Sequence, residues 1–151
     1  MENNKFVIAL AGNPNVGKST IFNGLTGMRQ HTGNWPGKTV ATARGEFQVD
    51  GQKYELVDLP GTYSLAAHSE EEEIARDFLC SKKADAVMVV CDATCMERGL
   101  HLLKQILELD FVQDNGTPLI LCVNLCDEAQ KKGICIDFSL LQDVLLFPVL
   151  S

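Results

Sequence analysis

The sequence predicts an α/β fold with a mostly parallel sheet, one antiparallel edge strand and helices on both faces. Short apolar runs alternate along the chain with stretches of helical periodicity, which is typical of this class. The runs at 86–91 and 118–123 are apolar throughout, as expected for strands buried on both faces. Asp50-Gly51 joins two alternating stretches and is a hairpin signal. The 151 residues suffice for one domain with a sizeable core.

The first half of the chain alternates strand, helix and hairpin. Residues 6–11 form an apolar run, which predicts a strand, and 17–26 open on a glycine and then follow a helical period. Residues 28–38 have no period and contain several glycine and proline residues, so we predict a loop. Alternating residues at 40–49 and 53–58 predict the two strands of the hairpin.

The next helix begins at a capping box, Ser69 with Glu72 three residues later. We expect the serine oxygen to accept an orphan amide and the glutamate to reach back to the cap. The remaining predicted elements are a helix to 79, a strand at 86–92, a helix at 96–109, a strand at 118–124, a helix at 138–146 and the start of a last strand at 147–150. The polar stretch 110–117 is predicted to be a surface insertion with a turn at Asn115-Gly116.

Composition excludes several classes of protein. The net charge of −7 and pI of about 4.9 disfavour binding to nucleic acid or an anionic membrane, because phosphates repel an acidic surface. No apolar run approaches the length of a spanning helix, and the start of the chain is too polar for a signal peptide. We therefore expect a soluble, cytosolic piece of protein. The chain has six cysteines, and we expect them to pack as small apolar side chains in preference to binding a metal.

The most informative motif is GNPNVGKS at 12–19, which matches G-x-x-x-x-G-K-[ST] between a predicted strand and a predicted helix. In this context backbone amides turn inward around phosphate oxygens, and the helix N-terminus adds partial positive charge. Lys18 is expected to reach the β- and γ-phosphates and the Ser19 hydroxyl to bind Mg²⁺. The expected phosphate-binding residues are Gly12, Asn13, Pro14, Asn15, Val16, Gly17, Lys18, Ser19 and Thr20.

A second motif, DLPG, follows the second hairpin strand. Asp58 is expected to hold Mg²⁺ through a water, and the amide of Gly61 to contact the γ-phosphate, with Leu59 and Pro60 lining the turn. The next residue is Thr62, where many nucleotide hydrolases of this kind carry a glutamine that orients water. Thr39 is a candidate switch residue for Mg²⁺ and the γ-phosphate; a threonine that merely begins a strand explains it equally well.

A third motif, NLCD, ends a predicted buried strand. The Asp127 carboxylate can accept hydrogen bonds from the N1–H and amino group of guanine, whereas adenine would leave it unpaired. Asn124 can brace the neighbouring loop, and Leu125 can pack on the base. The three motifs in this order favour GTP over ATP.

Five stretches together closely resemble the N-terminal GTPase domain of the ferrous iron transport protein B family, over nearly the whole chain. They are GNPNVGKSTIFNGLTG, GNWPGKTV, LVDLPGTYSL, SEEEEIARDFL and NLCD. The resemblance implies a Ras-like P-loop GTPase on the cytoplasmic face of the inner membrane, within a ferrous iron transporter. It implies a first switch segment at 28–40, with Gly37, Lys38 and Thr39 near the nucleotide, and a second switch segment at 60–69.

The resemblance also suggests what replaces the glutamine. Members of this family are similar to potassium-activated GTPases, in which a P-loop asparagine helps to bind K⁺ beside the phosphates. Asn15 matches that position, and backbone carbonyls around Gly33 and Trp35 would complete the shell. Catalysis would then rest on Asn15, Lys18, Thr39 and Gly61, and hydrolysis would be slow and faster in K⁺. Asn15 as a side chain that only braces its loop stays an alternative.

The sequence departs from the family pattern at three places. Leu125 stands where the guanine motif usually has lysine, and 110–117 is longer than expected. The chain also ends at Ser151, which would be the first residue of a base-contacting loop, so we expect a truncated domain. The family pattern continues into linked helical and transmembrane domains, and oligomers are possible.

Three other functions stay open at this point. The chain could be a ribosome- or tRNA-associated GTPase, although it lacks a basic stripe. It could be a guanine-nucleotide-binding module without hydrolysis, because Thr62 provides no base. It could also be an ATPase or kinase with the same phosphate loop.

Overall fold

A computed structural model describes residues 4–27 and 30–151 of the chain. Its sheet has seven strands in the order β2-β3-β4-β1-β5-β6-β7. The strands are β1 Phe6–Gly12, β2 Gln30–Asn34, β3 Ala41–Val49, β4 Gln52–Asp58, β5 Ala86–Asp92, β6 Leu119–Asn124 and β7 Val149–Leu150. The helices are α1 Lys18–Thr26, α2 Glu70–Cys80, α3 Met96–Leu107, α4 Asp110–Asn115, α5 Cys126–Lys131 and α6 Phe138–Leu145.

The sheet is mostly parallel, which confirms the predicted fold class. β1 lies at its centre and pairs in parallel with β4 and β5, and β6 and β7 continue the parallel order. Among the described strands, β3 alone runs opposite to the others: it is antiparallel to the edge strand β2 on one side and to β4 on the other. Asp50 and Gly51 both have positive φ, which a two-residue hairpin turn requires, so the hairpin is also confirmed.

Helices cover both faces of the sheet because side chains of a strand alternate between them. On β1, Ala9 and Ala11 join the core beneath α2 and α3, whereas Leu10 joins a second core that contains Phe22 of α1. The carboxyl ends of β1 and β4 lie side by side, since Leu10 pairs with Asp58. This pairing is what brings the first and second sequence motifs together.

Two segments differ from the prediction. The predicted loop at 28–38 contains the edge strand β2, whose five residues are all exposed; Met28 and Arg29 lie outside the described residues. A strand without a buried face has no hydrophobic alternation, and only its backbone pairing with β3 defines it. The predicted surface insertion at 110–117 forms the short helix α4, which ends at Gly116 with a φ of 62°.

The capping box of α2 is half confirmed. The Ser69 Oγ accepts a hydrogen bond from the Glu72 amide at 3.2 Å, as predicted. The Glu72 carboxylate, however, does not return to the cap: it accepts from the His68 amide at 2.9 Å and from the Ser64 hydroxyl at 3.1 Å. It therefore ties the second switch segment to α2.

The buried cysteine of the core, Cys91, is held as an unreactive thiol. Cys91 is fully buried, and burial raises the pKa of its thiol to about 12, which keeps it protonated. Within residues 4–27 and 30–151, no three His, Cys, Asp or Glu side chains are grouped so that they could hold a metal ion. No helix in the same part of the chain is long and apolar enough to cross a membrane.

Gly99 of α3 lies against Cys91, and we expect a side chain there to destabilise the fold. A Cβ at Gly99 would sit 2.3 Å from the Cys91 Sγ and 2.9 Å from its Cβ, so Gly99→Ala should cost about 1–3 kcal/mol. Gly24 of α1 is the matched control, because a Cβ there meets nothing within 4 Å and Gly24→Ala should gain roughly 0.5–1 kcal/mol. Urea unfolding midpoints measure both. Equal midpoints for the two variants would contradict the packing argument.

Candidate phosphate-binding site

The phosphate loop connects β1 to α1 and depends on backbone conformations that few residues adopt. Asn15 has a φ of 63° and Gly17 a φ of 88°. A Cβ on Gly17 would lie 2.2 Å from the Asn124 Nδ2, and a Cβ on Gly12 would lie 2.8 Å from the Val90 carbonyl oxygen. The two glycines are therefore required for close approach as well as for loop shape.

Lys18, at the start of α1, is the buried cation of the loop. Its Nζ lies 2.8 Å from the Asp58 Oδ1 and donates to the Leu59 carbonyl oxygen at 2.8 Å. The lysine of the first motif and the aspartate of the second thus meet, as the pairing of β1 with β4 requires. A lysine ammonium and a carboxylate therefore occupy one end of the sheet.

The second switch segment is fastened to the phosphate loop. The Asn13 side chain donates to the Thr62 carbonyl oxygen at 2.8 Å, and the Thr62 amide donates to the Gly12 carbonyl oxygen at 3.1 Å. A Cβ on Gly61 would lie 2.9 Å from the Pro14 Cα, so glycine permits this contact. Thr62 is only 5% exposed: its backbone connects the second switch segment to the phosphate loop, and it does not line the open cleft.

The open cleft above the loop has a volume of about 540 Å³. Its lining consists of P-loop residues and the second-motif glycine: Asn13, Pro14, Asn15, Gly17, Lys18, Ser19 and Gly61. All seven were predicted from the sequence as phosphate-site residues. Asn15 and Ser19 are exposed on this cleft, and each brings a side-chain oxygen to it beside the buried lysine.

Asn124 of the third motif braces the phosphate loop, as the sequence predicted. Its Nδ2 donates to the Val16 carbonyl oxygen at 3.0 Å, and its own carbonyl oxygen accepts from the Ala93 amide at 2.9 Å. Leu125 has a φ of 61° and precedes α5. Asp127 is exposed in the first turn of that helix, and the chain reaches Ser151, also exposed, after the neighbouring strand β7.

The first switch segment lies against α2 and not over the cleft. The Thr39 hydroxyl donates to the Glu70 carboxylate at 3.1 Å, and the Lys38 Nζ lies 3.5 Å from the Glu73 carboxylate. Gly37 has a φ of 71° in the turn between β2 and β3. Thr39, Lys38 and Gly37 therefore do not meet the other predicted phosphate-site residues in this conformation.

Trp35 of the first switch segment is a core residue. It is only 8% exposed and meets the Phe78 ring edge-on, with the ring centroids 5.6 Å apart. Its carbonyl oxygen accepts from the Lys38 amide at 2.9 Å. Gly33 belongs to the edge strand β2. The two residues whose carbonyls were expected around K⁺ therefore lie elsewhere: Gly33 is in β2, and Trp35 packs against α2.

The sequence analysis missed two side chains that hold the second switch segment, those of Gln105 and Asn13. The Gln105 side chain on α3 accepts a hydrogen bond from the Leu65 amide at 2.6 Å. Asn13 was predicted as a phosphate-binding residue of the loop, and its side-chain bond to the Thr62 carbonyl oxygen was not foreseen. No local pattern could have found either contact, since the partners are 40 and 49 residues apart.

The parallel sheet, the phosphate loop and the adjoining DLPG turn define a Ras-like P-loop G domain. The model of the family described as "Ferrous iron transport protein B" matches residues 6–151. The chain belongs to that family.

Named relatives agree with this assignment. The Fe(2+) transporter FeoB of Escherichia coli K12 is 44% identical over 150 residues, which are 97% of this chain and 19% of the relative. The Fe(2+) transporter FeoB of Methanocaldococcus jannaschii is 55% identical over 104 residues, 69% of this chain and 16% of the relative. The chain therefore spans less than a fifth of the length of these two transporters.

Solved structures show the same domain. The G domain of the T. maritima FeoB iron transporter superposes with a TM-score of 0.87 at 44% identity, over 97% of this chain and 86% of that one. The cytosolic domain of the same transporter in its GMPPNP form superposes with a TM-score of 0.87 at 46% identity, over 95% of this chain and 55% of that one. An S. thermophilus NFeoB N11A mutant bound to mGDP superposes with a TM-score of 0.87 at 40% identity, over 97% of this chain and 54% of that one.

Proposed function

We propose that this chain is a GTP-binding switch domain that hydrolyses GTP slowly with Mg²⁺ and faster in the presence of K⁺. The observation that carries the proposal is the pairing of Lys18 with Asp58 at the floor of the phosphate-loop cleft. Structures of T. maritima FeoB in GDP and GMPPNP forms, at 45% and 46% identity, support a guanine nucleotide as the ligand.

Phosphate binding would exchange the partners of Lys18. In the structure its ammonium is held by Asp58 and the Leu59 carbonyl oxygen. A phosphate in the cleft is a stronger acceptor for the lysine, and loop amides would donate to the same oxygens. Asp58 would then be free to act as an oxygen ligand. The same movement therefore links phosphate binding to the metal site.

The oxygen donors on the cleft fit Mg²⁺, which prefers hydroxyl, carboxylate, water and phosphate oxygens. Ser19 and Asp58 would hold it, and Mg²⁺ would neutralise charge on the phosphate oxygens. Thr39 could join them only after leaving Glu70, which accepts its hydroxyl in the structure. Ordering of the first switch segment would thus depend on the nucleotide.

Asn15 is the residue on which the potassium proposal rests. Its side chain is exposed on the cleft, and its amide oxygen is a suitable neutral ligand for a hard monovalent cation. Bound K⁺ would offset charge that spreads over the phosphates in the transition state. The buried Thr62 carries no base, so the amides of Gly61 and Thr39 would position the attacking water. Gly33 and Trp35 would contribute carbonyl oxygens only after the first switch segment moves.

Guanine recognition is assigned to the third motif. Asp127 would accept from the base edge, Leu125 would pack on the base, and Asn124 already holds the Val16 carbonyl of the phosphate loop. Ser151 would begin the base-contacting loop. Together these residues would select guanine because the carboxylate has no partner on adenine.

The wider role follows the curated relatives. We place this domain on the cytoplasmic face of the inner membrane, linked to helical and transmembrane domains of a ferrous iron transporter. The family match favours this role over a ribosome-associated GTPase. Single-turnover hydrolysis of bound GTP tests whether the domain is a GTPase. Competition by ATP tests whether it selects guanine over adenine. Absence of hydrolysis in K⁺ with Mg²⁺ would leave a binding module only.

We expect Asn15→Ala to remove the advantage of K⁺ over Na⁺. Losing one stabilising ligand near the γ-phosphate should lower turnover in K⁺ by roughly tenfold to a hundredfold, with little change in Na⁺. GTP turnover in matched K⁺, Na⁺ and Cs⁺ solutions measures this. Asn23→Ala, on α1 and outside the cleft lining, is the matched control. Equal wild-type rates in K⁺ and Na⁺ would contradict the role of Asn15.

A further inference from the structure

A second cavity lies between the first switch segment and α2, away from the phosphate-loop cleft. Its volume is about 250 Å³. Trp35, Pro36 and Lys38 form one wall, Arg44 of β3 forms another, and the rest comes from α2 and the connection to β5: Ile74, Asp77, Phe78, Ser81 and Lys83. The two clefts share no lining residue among those described.

Arg44 is the main feature of this cavity. Its guanidinium carbon lies 5.9 Å from the Trp35 ring centroid and 5.8 Å from the Phe78 ring centroid. The two aromatic rings hold the guanidinium in place, while its N–H groups make no hydrogen bond or ion pair with any residue of 4–27 and 30–151. A positioned guanidinium with unused donors is suited to bidentate binding of an oxyanion.

The other charges of the cavity strengthen this assignment. Lys38, Arg44 and Lys83 face a single carboxylate in the lining, that of Asp77, although the chain as a whole carries −7. Asp77 lies 3.7 Å from Arg76, and Lys38 lies 3.5 Å from Glu73. Lys83 is exposed and has no carboxylate partner among the described side chains. Two cations of the cavity, Arg44 and Lys83, are therefore left without a counter-ion.

A buried donor in the same lining is also unsatisfied. Trp35 is 8% exposed, and its Nε1–H has no hydrogen-bond partner in the part of the chain that the structure describes. Buried donors are usually paired, so an orphan indole N–H marks a place where an acceptor is missing. The indole N–H is thus an unpaired donor within a lining residue, and the charged donors of the lining that lack a partner among the described residues are those of Arg44 and Lys83.

We infer that the cavity bounded by Trp35, Arg44, Phe78 and Lys83 is a binding site for a small oxyanion, a phosphate or a carboxylate. Its ligand would bridge Arg44 and Lys83. Because Trp35, Pro36 and Lys38 belong to the first switch segment, an occupied site would hold that segment against α2. The anion would thereby oppose the movement that brings Thr39 towards the phosphate-loop cleft.

The test uses the indole N–H signal of Trp35, the single tryptophan of the chain, in NMR titrations. Inorganic phosphate and acetate are added separately, against chloride at matched ionic strength. GDP with Mg²⁺, or the variant Lys18→Ala without nucleotide, keeps phosphate out of the phosphate loop. We expect a saturable shift of the indole signal with phosphate, acetate or both, and the stronger of the two identifies the class of ligand.

Variants make the assignment specific. Arg44→Lys keeps the charge and loses the planar fork, so the affinity for the anion should fall about tenfold. Lys83→Ala, at an exposed position that leaves the core intact, should weaken binding about threefold or more. Lys104→Ala, an exposed lysine of α3, should change nothing. A shift no larger than that with chloride, or one that persists unchanged in both cavity variants, would overturn the inference.

Discussion

Replacing Lys18 with alanine is expected to lower GTP turnover by roughly a thousandfold, the scale typical of a lost charge at a developing phosphate transition state. The lysine lies at the floor of the phosphate-loop cleft, and its Nζ is 2.8 Å from Asp58. No other cationic side chain lines that cleft among the described residues. Its loss would remove the cationic side chain proposed to meet the phosphates in that cleft.

The Lys18 experiment needs a check on folding, because the side chain is 10% exposed and also bonds the Leu59 carbonyl oxygen. Lys18→Met keeps most of the aliphatic stem, so turnover should fall as far as in Lys18→Ala while more of the packing is retained. Lys104→Ala is the matched control on an exposed face. Single-turnover hydrolysis and urea unfolding separate the two effects. Turnover within about tenfold of wild type in both Lys18 variants would contradict the assignment.

Replacing Asp127 with asparagine is expected to reduce the preference for GTP over ATP by roughly a hundredfold. In the proposed site the carboxylate would accept hydrogen bonds from two guanine donors, whereas an amide would offer one acceptor and a donor that faces a donor of the base. The same change should improve binding of xanthosine triphosphate, whose C2 carbonyl can accept from the new amide. Competition of each nucleotide against a fluorescent guanine nucleotide measures the three affinities.

The matched control for Asp127 is its neighbour in the same helical turn. Glu128 is also exposed and lies 3.2 Å from Lys131, so Glu128→Gln removes an equal charge without touching the proposed base site. That variant should keep the wild-type preference. An unchanged GTP-to-ATP ratio in Asp127→Asn would place guanine selection elsewhere in the chain.

Most residues of the proposed phosphate site could be predicted from sequence because they belong to one short loop motif. Gly12 and Gly17 mark the loop by residue type, and Lys18 follows the second glycine at a fixed spacing. Asp58 ends a strand, and the parallel order of the sheet brings it next to the loop. The Ser69 cap could be predicted for the same reason, since donor and acceptor are three residues apart.

The placement of the first switch segment could not be predicted in this way. The strand β2 has no buried face, so its sequence shows no alternation. Trp35 packs on Phe78, 43 positions later in the chain. Thr39 was assigned to the metal site, yet its hydroxyl meets Glu70 of α2. Each of these contacts depends on where a distant helix lies against the sheet.

By itself, the sequence determined the α/β order, the hairpin, the phosphate loop and the family, because these depend on residue types at short and fixed spacing. Only the tertiary structure decided how Asn13 holds Thr62, how Lys18 is held by Asp58 and Leu59, and how Arg44 lies beside two aromatic rings. Those interactions join residues from different strands and helices. Their geometry exists only after the sheet has assembled and its two faces have been covered.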